Sequence, residues 1–391
     1  MKLEIGDNKA KEVLEKLINA VINLESERDI SLFLDKLLSY ARNIVGASAG
    51  SLYLIDADAK RLQIEVCQND EIDINTFFEV THTKESGIPL NSESIAGYSA
   101  ISGEVVHVPD VDHIDVQLPY RFSSKIDKGS GFTSRSILAV PIRHPRDGIM
   151  GTLELFNPSA GAFEDWNIGI LRNFSVLAAV TLSNIRLYDS LKGSYLETVF
   201  KLGVASEFKD GDTYDHIHRI GYMVKIVAYH MGFSAEEREL LFHASSMHDI
   251  GKIGIPDSVL KKKETLNDEE WEIMRRHSEM GAKMLENTDS EILQLSEKIA
   301  MSHHEKWNGK GYPEGLVGDQ IPKAAQIVAI ADVFDALVHA RVYKSAWKVQ
   351  KALDFIQSQR GEHFSPEVTD AFFNGIEEIL EVQKKFGELH Y

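Results

Sequence analysis

The 391-residue chain is predicted to be a multidomain α+β protein, with a mixed α/β/α region first, a long connecting helix next and an all-α bundle last. Three observations predict this. Short apolar runs separated by polar turns are confined to the part before about residue 163. Residues 164–207 carry almost no helix breaker except Gly169, Gly193 and Gly203. From about 195 onward the pattern is helical, interrupted by loops rich in Gly, Pro and Asp, with no convincing strand. These changes of pattern divide the chain into expected segments 1–29, 30–163, 164–194 and 195–391.

Each element has its own warrant. In 9–28, Val13, Leu14, Leu17, Ile18, Val21 and Leu24 recur at spacings of three and four, which predicts an amphipathic helix. A second helix is expected over 30–44. The runs 50–55 and 61–66 read as two strands of a hairpin around the polar turn 56–60. A short helix is expected over 92–102, with Ser94 as its cap. The runs 105–108, 136–142 and 150–156 supply further strands, the last two joined by the turn 144–148. Leu171, Phe174, Ala178, Thr181, Ile185 and Tyr188 then follow a 3-4-3-4-3 pattern, a coiled-coil-like seam. Such a seam either packs on its own domain or pairs with its twin, and the helix's run from one domain into the next favours the twin. A homodimer through the N-terminal and connecting helices is therefore expected.

Composition bounds the function. Hydrophobic residues at 43% and charged residues at 26% are the mix of an ordinary soluble globular protein. No uninterrupted run of about 18 apolar residues occurs, so no membrane partner is expected. The opening residues lack the basic flank and apolar stretch of a secretory signal. Cys67 is the single cysteine, which excludes an intrachain disulfide and suits the reducing cytoplasm. A net charge of −18 argues against DNA as a partner, because nucleic-acid binding needs a basic stripe. A small phosphate ester remains compatible, since bound metal ions can supply local positive charge.

The chemistry concentrates in the last half. His216, His248, Asp249, His277, His303, His304 and Asp332 fall at intervals of roughly thirty residues, about a helix, a loop and part of the next helix. Each can come from a different helix and point into one bundle, the way helical bundles build metal sites. Imidazoles and carboxylates without thiolates suit borderline divalent cations such as iron, manganese or zinc. Five histidines and two aspartates exceed what one ion needs, and a carboxylate can bridge two. Two ions suit phosphodiester hydrolysis, where they activate water and stabilise charge on the phosphate and the leaving oxygen. A lone His such as His230 or His243 carries no such implication.

The run 247–257, MHDIGKIGIPD, resembles the HD core of the HD-GYP family. The run 303–313, HHEKWNGKGYP, with 314–316 and Ile321-Pro322, resembles its GYP segment. Asp332-Val-Phe-Asp-Ala336 and Arg341-Val-Tyr-Lys344 match its closing motifs, and Glu207, Asp210, Thr213, His216 and Arg219 fall at the spacing of its first. The resemblance implies an all-helical domain that hydrolyses cyclic di-GMP to pGpG, and further to GMP in some members, through two or three divalent metal ions, iron first and manganese second. It implies that His216, His248, Asp249 and Asp332 hold one ion, and that Asp249, His277, His303 and His304 hold the next. Asp249 is thereby a bridging, catalytic residue. Lys252 resembles a catalytic lysine on the substrate phosphate. Arg341 and Lys344 resemble further phosphate ligands, and Gly311 and Tyr312 belong to the substrate loop. Asp212, four residues before His216, stands where members with a third metal carry a carboxylate; otherwise it caps the following helix.

Asn308, Gln326 and Val342 replace the family's usual Asp, Arg and Pro, and Tyr214-Asp215 its usual small pair. These departures touch substrate preference rather than the metal core. They keep open hydrolysis of another cyclic dinucleotide, cyclic GMP-AMP, and a catalytically weak module that binds the dinucleotide and signals. The region 30–163 resembles a GAF sensor domain in the order of its elements, which implies regulation by an unidentified small-molecule ligand. Pro158, where a cyclic-nucleotide signature would have Lys after Asn157, argues against a cyclic nucleotide there. Cys67 is expected to be a buried thiol rather than a chromophore anchor.

Overall fold

The computed structural model describes residues 15–16, 18–20, 22–24, 27, 29–58, 60–72, 87–123, 127, 131–209, 214–339 and 346–386. The chain divides into two compact units, Met1–Leu191 and Lys192–Tyr391.

In the first unit the described residues of 15–24 are helical. Leu24 joins the core, while Ile18 of the expected apolar face is exposed. Helix α1 (Ile30–Val45) starts where Asp29 accepts a hydrogen bond from the Leu32 N–H and ends at Gly46, whose φ of 68° suits glycine. Strands β1 (Ala47–Asp56), β2 (Arg61–Asn69), β3 (Ile88–Pro89), β4 (Val106–Val108), β5 (Ile137–His144) and β6 (Gly148–Pro158) form one sheet in the order β3-β2-β1-β6-β5-β4. Every pairing is antiparallel, and β1–β2 and β5–β6 are the two expected hairpins, each longer than predicted. Among the described strands, the two-residue β3 escaped prediction.

Strand alternation explains the layering. Leu52 and Leu54 on β1, with Leu153 and Leu155 on β6, face a core shared with α1 and with helix α3 (Asp165–Glu207). Tyr53, Leu62 and Ile64 face helix α2 (Ile95–Ser102) instead, through Ala96 and Ala100. Ser94 caps α2 as predicted, accepting from the Gly97 N–H at 3.0 Å.

The 43-residue helix α3 corrects one expectation. Leu171, Phe174, Ala178 and Ile185 of the seam are buried in the unit's own core, and Tyr188 is exposed. Up to Ile185 the seam is therefore a core-packing face. An 18-residue window of α3 reaches a mean hydropathy of 1.4, enough by length and composition to cross a membrane, with 44% of it buried. Packing into the unit's core accounts for much of that apolarity.

A polar group lies under α2. Tyr53 donates to Glu154 at 3.0 Å, and the Cys67 thiol donates to Ser51 at 3.3 Å. Cys67 is only partly covered as a residue, but enclosure of its sulfur pushes the thiol up to about 11. Burial pushes the Glu154 carboxyl from 4.5 up to about 7, against the Tyr53 hydrogen bond. A carboxyl raised on folding contributes stability that is full below its unfolded value and lost as pH rises through the folded one. At about 1.4 kcal/mol per pH unit this amounts to roughly 3 kcal/mol. Glu154→Gln is therefore expected to raise the unfolding temperature more at pH 8 than at pH 5. Calorimetry on the full chain giving equal shifts at both pH values would contradict this.

The described residues of the second unit form no strand. After the end of α3 come α4 (Tyr214–His230), α5 (Ala235–Ser245), α6 (Asp257–Leu260), α7 (Asp268–Arg275), α8 (His277–Leu285), α9 (Glu291–Ser302), α10 (Lys323–Val338), α11 (Val349–Ser358), α12 (Pro366–Asn374) and α13 (Ile376–Lys385). Reciprocal capping pairs start α5 (Ser234 with Glu237) and α7 (Asn267 with Glu270). Ile220, Val224, Ile299, Val328, Phe334 and Phe372 are central to the core.

Candidate metal centre

The second unit brings seven of the eight expected metal ligands to described helix ends and faces. His216 lies in α4 and Asp332 in α10. His248 and Asp249 follow α5, and a 3₁₀ turn, Ile250–Gly254, carries Lys252. His277 opens α8, and His303-His304 follow α9. Most of these residues therefore sit where a helix begins or ends, rather than along helix faces as the spacing suggested. Lys252 reaches Asp249 through the tighter 3₁₀ geometry, Nζ to Oδ2 at 2.8 Å. Asp212, Arg341 and Lys344 lie outside the described residues.

Close packing sets this geometry. A Cβ on Gly251 would stand 1.9 Å from the His277 carbonyl oxygen and 2.5 Å from the Gly281 nitrogen. Only glycine lets the HD turn lie directly on α8, which brings Asp249 Oδ1 to 3.2 Å from His277 Nε2. The same oxygen is 3.5 Å from His303 Nε2, and Oδ2 is 3.3 Å from His248 Nε2.

Four imidazoles are oriented alike. Nδ1 of His248 donates to the Ser245 carbonyl at 2.9 Å, and Nδ1 of His277 to that of Met274 at 2.7 Å. Nδ1 of His303 is shared between the Ile299 and Ala300 carbonyls, 3.1 Å from each. Nδ1 of His216 donates to Asp335 at 2.8 Å. An acceptor at Nδ1 puts the proton there and leaves the Nε2 lone pair free, as a metal ligand requires.

Two groups of donor atoms result, each within 4.8 Å: Asp249, His277, His303 and His304, and Glu207, His216 and His248. His248 Nε2, His303 Nε2 and Asp249 Oδ1 are buried without a hydrogen-bond partner among the described residues. Buried polar atoms left so are costly, and divalent cations would satisfy all three. The donor set fits such ions: neutral imidazole and carboxylate, no sulfur. Asp332 Oδ1 stands 3.9 Å from His216 Nε2, outside both groups.

The electrostatics agree. Burial opposes charge on His248, but Asp249, Asp332 and Glu207 outweigh it and raise the imidazole to about 9. Burial likewise opposes charge on His216, and Asp335, Glu207 and Asp332 raise it. A field that holds protons this strongly also holds divalent cations, which displace them. For Asp249, burial works upward, and Lys252, His248 and His277 overcome it and hold the carboxyl well below its usual range. Burial and the neighbouring His303 and His277 push His304 well down.

Sequence reasoning placed Asp335, Arg219 and Glu207 in motifs without giving them roles. Asp335 is buried, receiving Arg219 Nε at 2.7 Å and the second guanidinium nitrogen at 2.9 Å as well as His216. Glu305, inside the run 303–313, was likewise given no role. It is buried beside the histidine pair and accepts the backbone N–H groups of Glu314, Gly315 and Leu316 at 2.7, 3.0 and 3.1 Å. A carboxylate directly after His-His, ahead of a glycine-rich loop, was the available signal. Gly311 completes that loop, since a Cβ there would meet the Lys306 nitrogen at 2.3 Å. The Tyr312 ring lies 4.8 Å from His304 with the Arg275 guanidinium 5.4 Å over it. Burial, then Asp249, push its phenol up, so it stays protonated at neutral pH. Asn308 binds Glu362, and Gln326 binds the Ile321 carbonyl, so both departures have structural partners.

Comparison with known families matches residues 208–368 to the HD domain and residues 29–182 to the GAF domain. Over 191 residues the chain is 42% identical to the cyclic di-GMP phosphodiesterase response regulator RpfG of Xanthomonas campestris pv. campestris, covering 49% of this chain and 50% of that one. It is 36% identical to the 3'3'-cGAMP-specific phosphodiesterase 2 of Vibrio cholerae over 52% of this chain and 39% of that one. It is 38% identical to a probable cyclic di-GMP phosphodiesterase of Vibrio cholerae, over 75% of this chain and 68% of that one. The chain thus spans half or less of the first two relatives and about two thirds of the third.

Proposed function

This chain belongs to the family that joins a GAF domain to an HD domain, and from that membership we propose that it is a cyclic dinucleotide phosphodiesterase of the HD-GYP type that linearises cyclic di-GMP to pGpG, with GMP as a further product. The observation that carries the reading is the convergence of oriented imidazoles on Asp249 beside Lys252. His216, His248 and Asp332 are proposed to hold one ion and His277, His303 and His304 the next, with Asp249 common to both. Iron is the first candidate and manganese the second. The ions, when bound, activate water and stabilise phosphate charge. Water oxygen adds to phosphorus, the P–O3′ bond breaks, and the 3′ oxygen leaves with a proton.

The chain's own groups do the rest. Lys252 offers a buried ammonium to the phosphate. Tyr312, protonated and beside His304, offers a hydroxyl donor and a ring to a guanine. Gly311 lets the loop backbone come close. Arg341 and Lys344 are assigned to phosphate, and Asp212 to a third ion, by their motif positions alone.

We assign segments 1–29, 30–163, 164–194 and 195–391 to an N-terminal helix, a sensor, a signalling helix and the catalytic domain. The sensor takes a small molecule of unidentified class, and the protein acts in the cytoplasm. A homodimer is favoured by the exposed Leu187, Tyr188, Leu191 and Leu202 on α3.

The test is to purify the full chain without oxygen, quantify its metals, and follow cyclic di-GMP and 3′3′-cGAMP in competition by chromatography. A higher kcat/KM for cyclic di-GMP supports the proposal. Preference for 3′3′-cGAMP supports the second reading, which similarity to a cGAMP-specific enzyme keeps in view. Binding of either without turnover in metal-loaded protein identifies a sensor module instead.

A further inference from the structure

We infer that Glu207 is a metal ligand, its Oε1 joining Nε2 of His216 and of His248 at one ion. This rests on reading the cluster as a metal centre, and adds a ligand that the family resemblance did not supply. Glu207 is the last residue of α3 and only 1% exposed. A carboxylate taken out of water needs close partners. Its Oε2 has one, Lys252 Nζ, at the long distance of 3.5 Å. That ammonium lies closer to Asp249, at 2.8 Å. Its Oε1 is buried with no hydrogen-bond partner among the described residues.

The two imidazoles near it are turned for the same purpose. His216 gives Nδ1 to Asp335 and His248 gives Nδ1 to Ser245, so both keep Nε2 free, and His248 Nε2 is itself buried without a hydrogen bond. One donor atom from each of Glu207, His216 and His248 falls within 4.8 Å of the others. Asp332, the carboxylate the resemblance places with them, is more exposed and lies outside the group. A structural counter-ion to Lys252 would need only Oε2. The orphaned Oε1 is what a ligand role explains.

The experiment compares metal content of the full chain, wild type against Glu207→Gln and Glu207→Asp, by elemental analysis after oxygen-free purification, with far-UV circular dichroism as the fold control. Glu207→Gln keeps the shape and removes the charge, and is expected to lose one metal equivalent per chain. Glu207→Asp keeps the charge near Lys252 and withdraws the oxygen by one methylene. It is expected to release that equivalent at a chelator concentration at least about tenfold lower than wild type, the scale on which metal-site changes act. Wild-type metal content and chelator resistance in Glu207→Asp overturn the inference, even if Glu207→Gln fails to fold. A metal-loaded, active wild type beside an unchanged Glu207→Gln overturns this inference alone. A wild type that takes up no metal overturns the centre and this inference with it.

Discussion

Asp249→Asn is expected to reduce cyclic dinucleotide turnover by about a thousandfold or more and to empty much of the metal centre. Asp249 brings its oxygens near three imidazoles, those of His248, His277 and His303, and near the Lys252 ammonium. Asparagine keeps the shape and removes the charge that holds these groups together. Its amide N–H₂ either faces the Lys252 ammonium, a donor meeting a donor, or occupies an Nε2 lone pair that a cation needs. If the ions contribute roughly 4 kcal/mol of charge stabilisation, their loss corresponds to a factor of about 10³ in rate. Product chromatography and elemental analysis on the same sample check both halves. Turnover above a tenth of wild type would remove Asp249 from the centre of the chemistry.

Asp335→Ala is expected to destabilise the second unit by about 3–5 kcal/mol, the cost of leaving a buried charge without its partner. Arg219 is buried, and besides Asp335 its guanidinium donates to the Phe386 carbonyl at 2.9 Å. Burial works to raise the Asp335 carboxyl, and His216, His339 and Arg219 overcome it and hold it well below the usual carboxylate range. A depressed carboxyl contributes stability above its unfolded value and loses it as pH falls through the folded one. The difference between wild type and Asp335→Asn should therefore be constant near neutral pH and shrink only in strong acid. Losing the acceptor for His216 Nδ1 is also expected to weaken metal retention about 10–100-fold. Denaturant titration and chelator competition measure the two effects. Unchanged metal retention in folded Asp335→Asn would make Asp335 a stability residue alone.

The sequence carried the α+β order, both hairpins, the Ser94 cap and the histidines that meet in the second unit. These follow from local rules: a twofold alternation in strands, a 3.6-residue period in helices, and residue types whose chemistry restricts their use. The helix seam shows where such rules stop. Leu171, Phe174 and Ala178 predict an apolar stripe whether its partner is a second helix or the chain's own sheet, and only the packed core reveals the sheet. Spacing of roughly thirty residues predicted that the histidines come from separate helices, but not that most stand at helix ends.

Residue type and order alone determined which atoms can bind a cation, because imidazole and carboxylate carry that chemistry wherever they are. The tertiary structure decided which nitrogen of each ring is free, through the carbonyls of Ser245, Met274, Ile299 and Ala300 and the carboxylate of Asp335. It also put Glu207, rather than Asp332, in one group of donor atoms with His216 and His248. Hydrogen bonds and burial join residues far apart in the chain, here across 119 positions between His216 and Asp335, and no local pattern encodes such a contact.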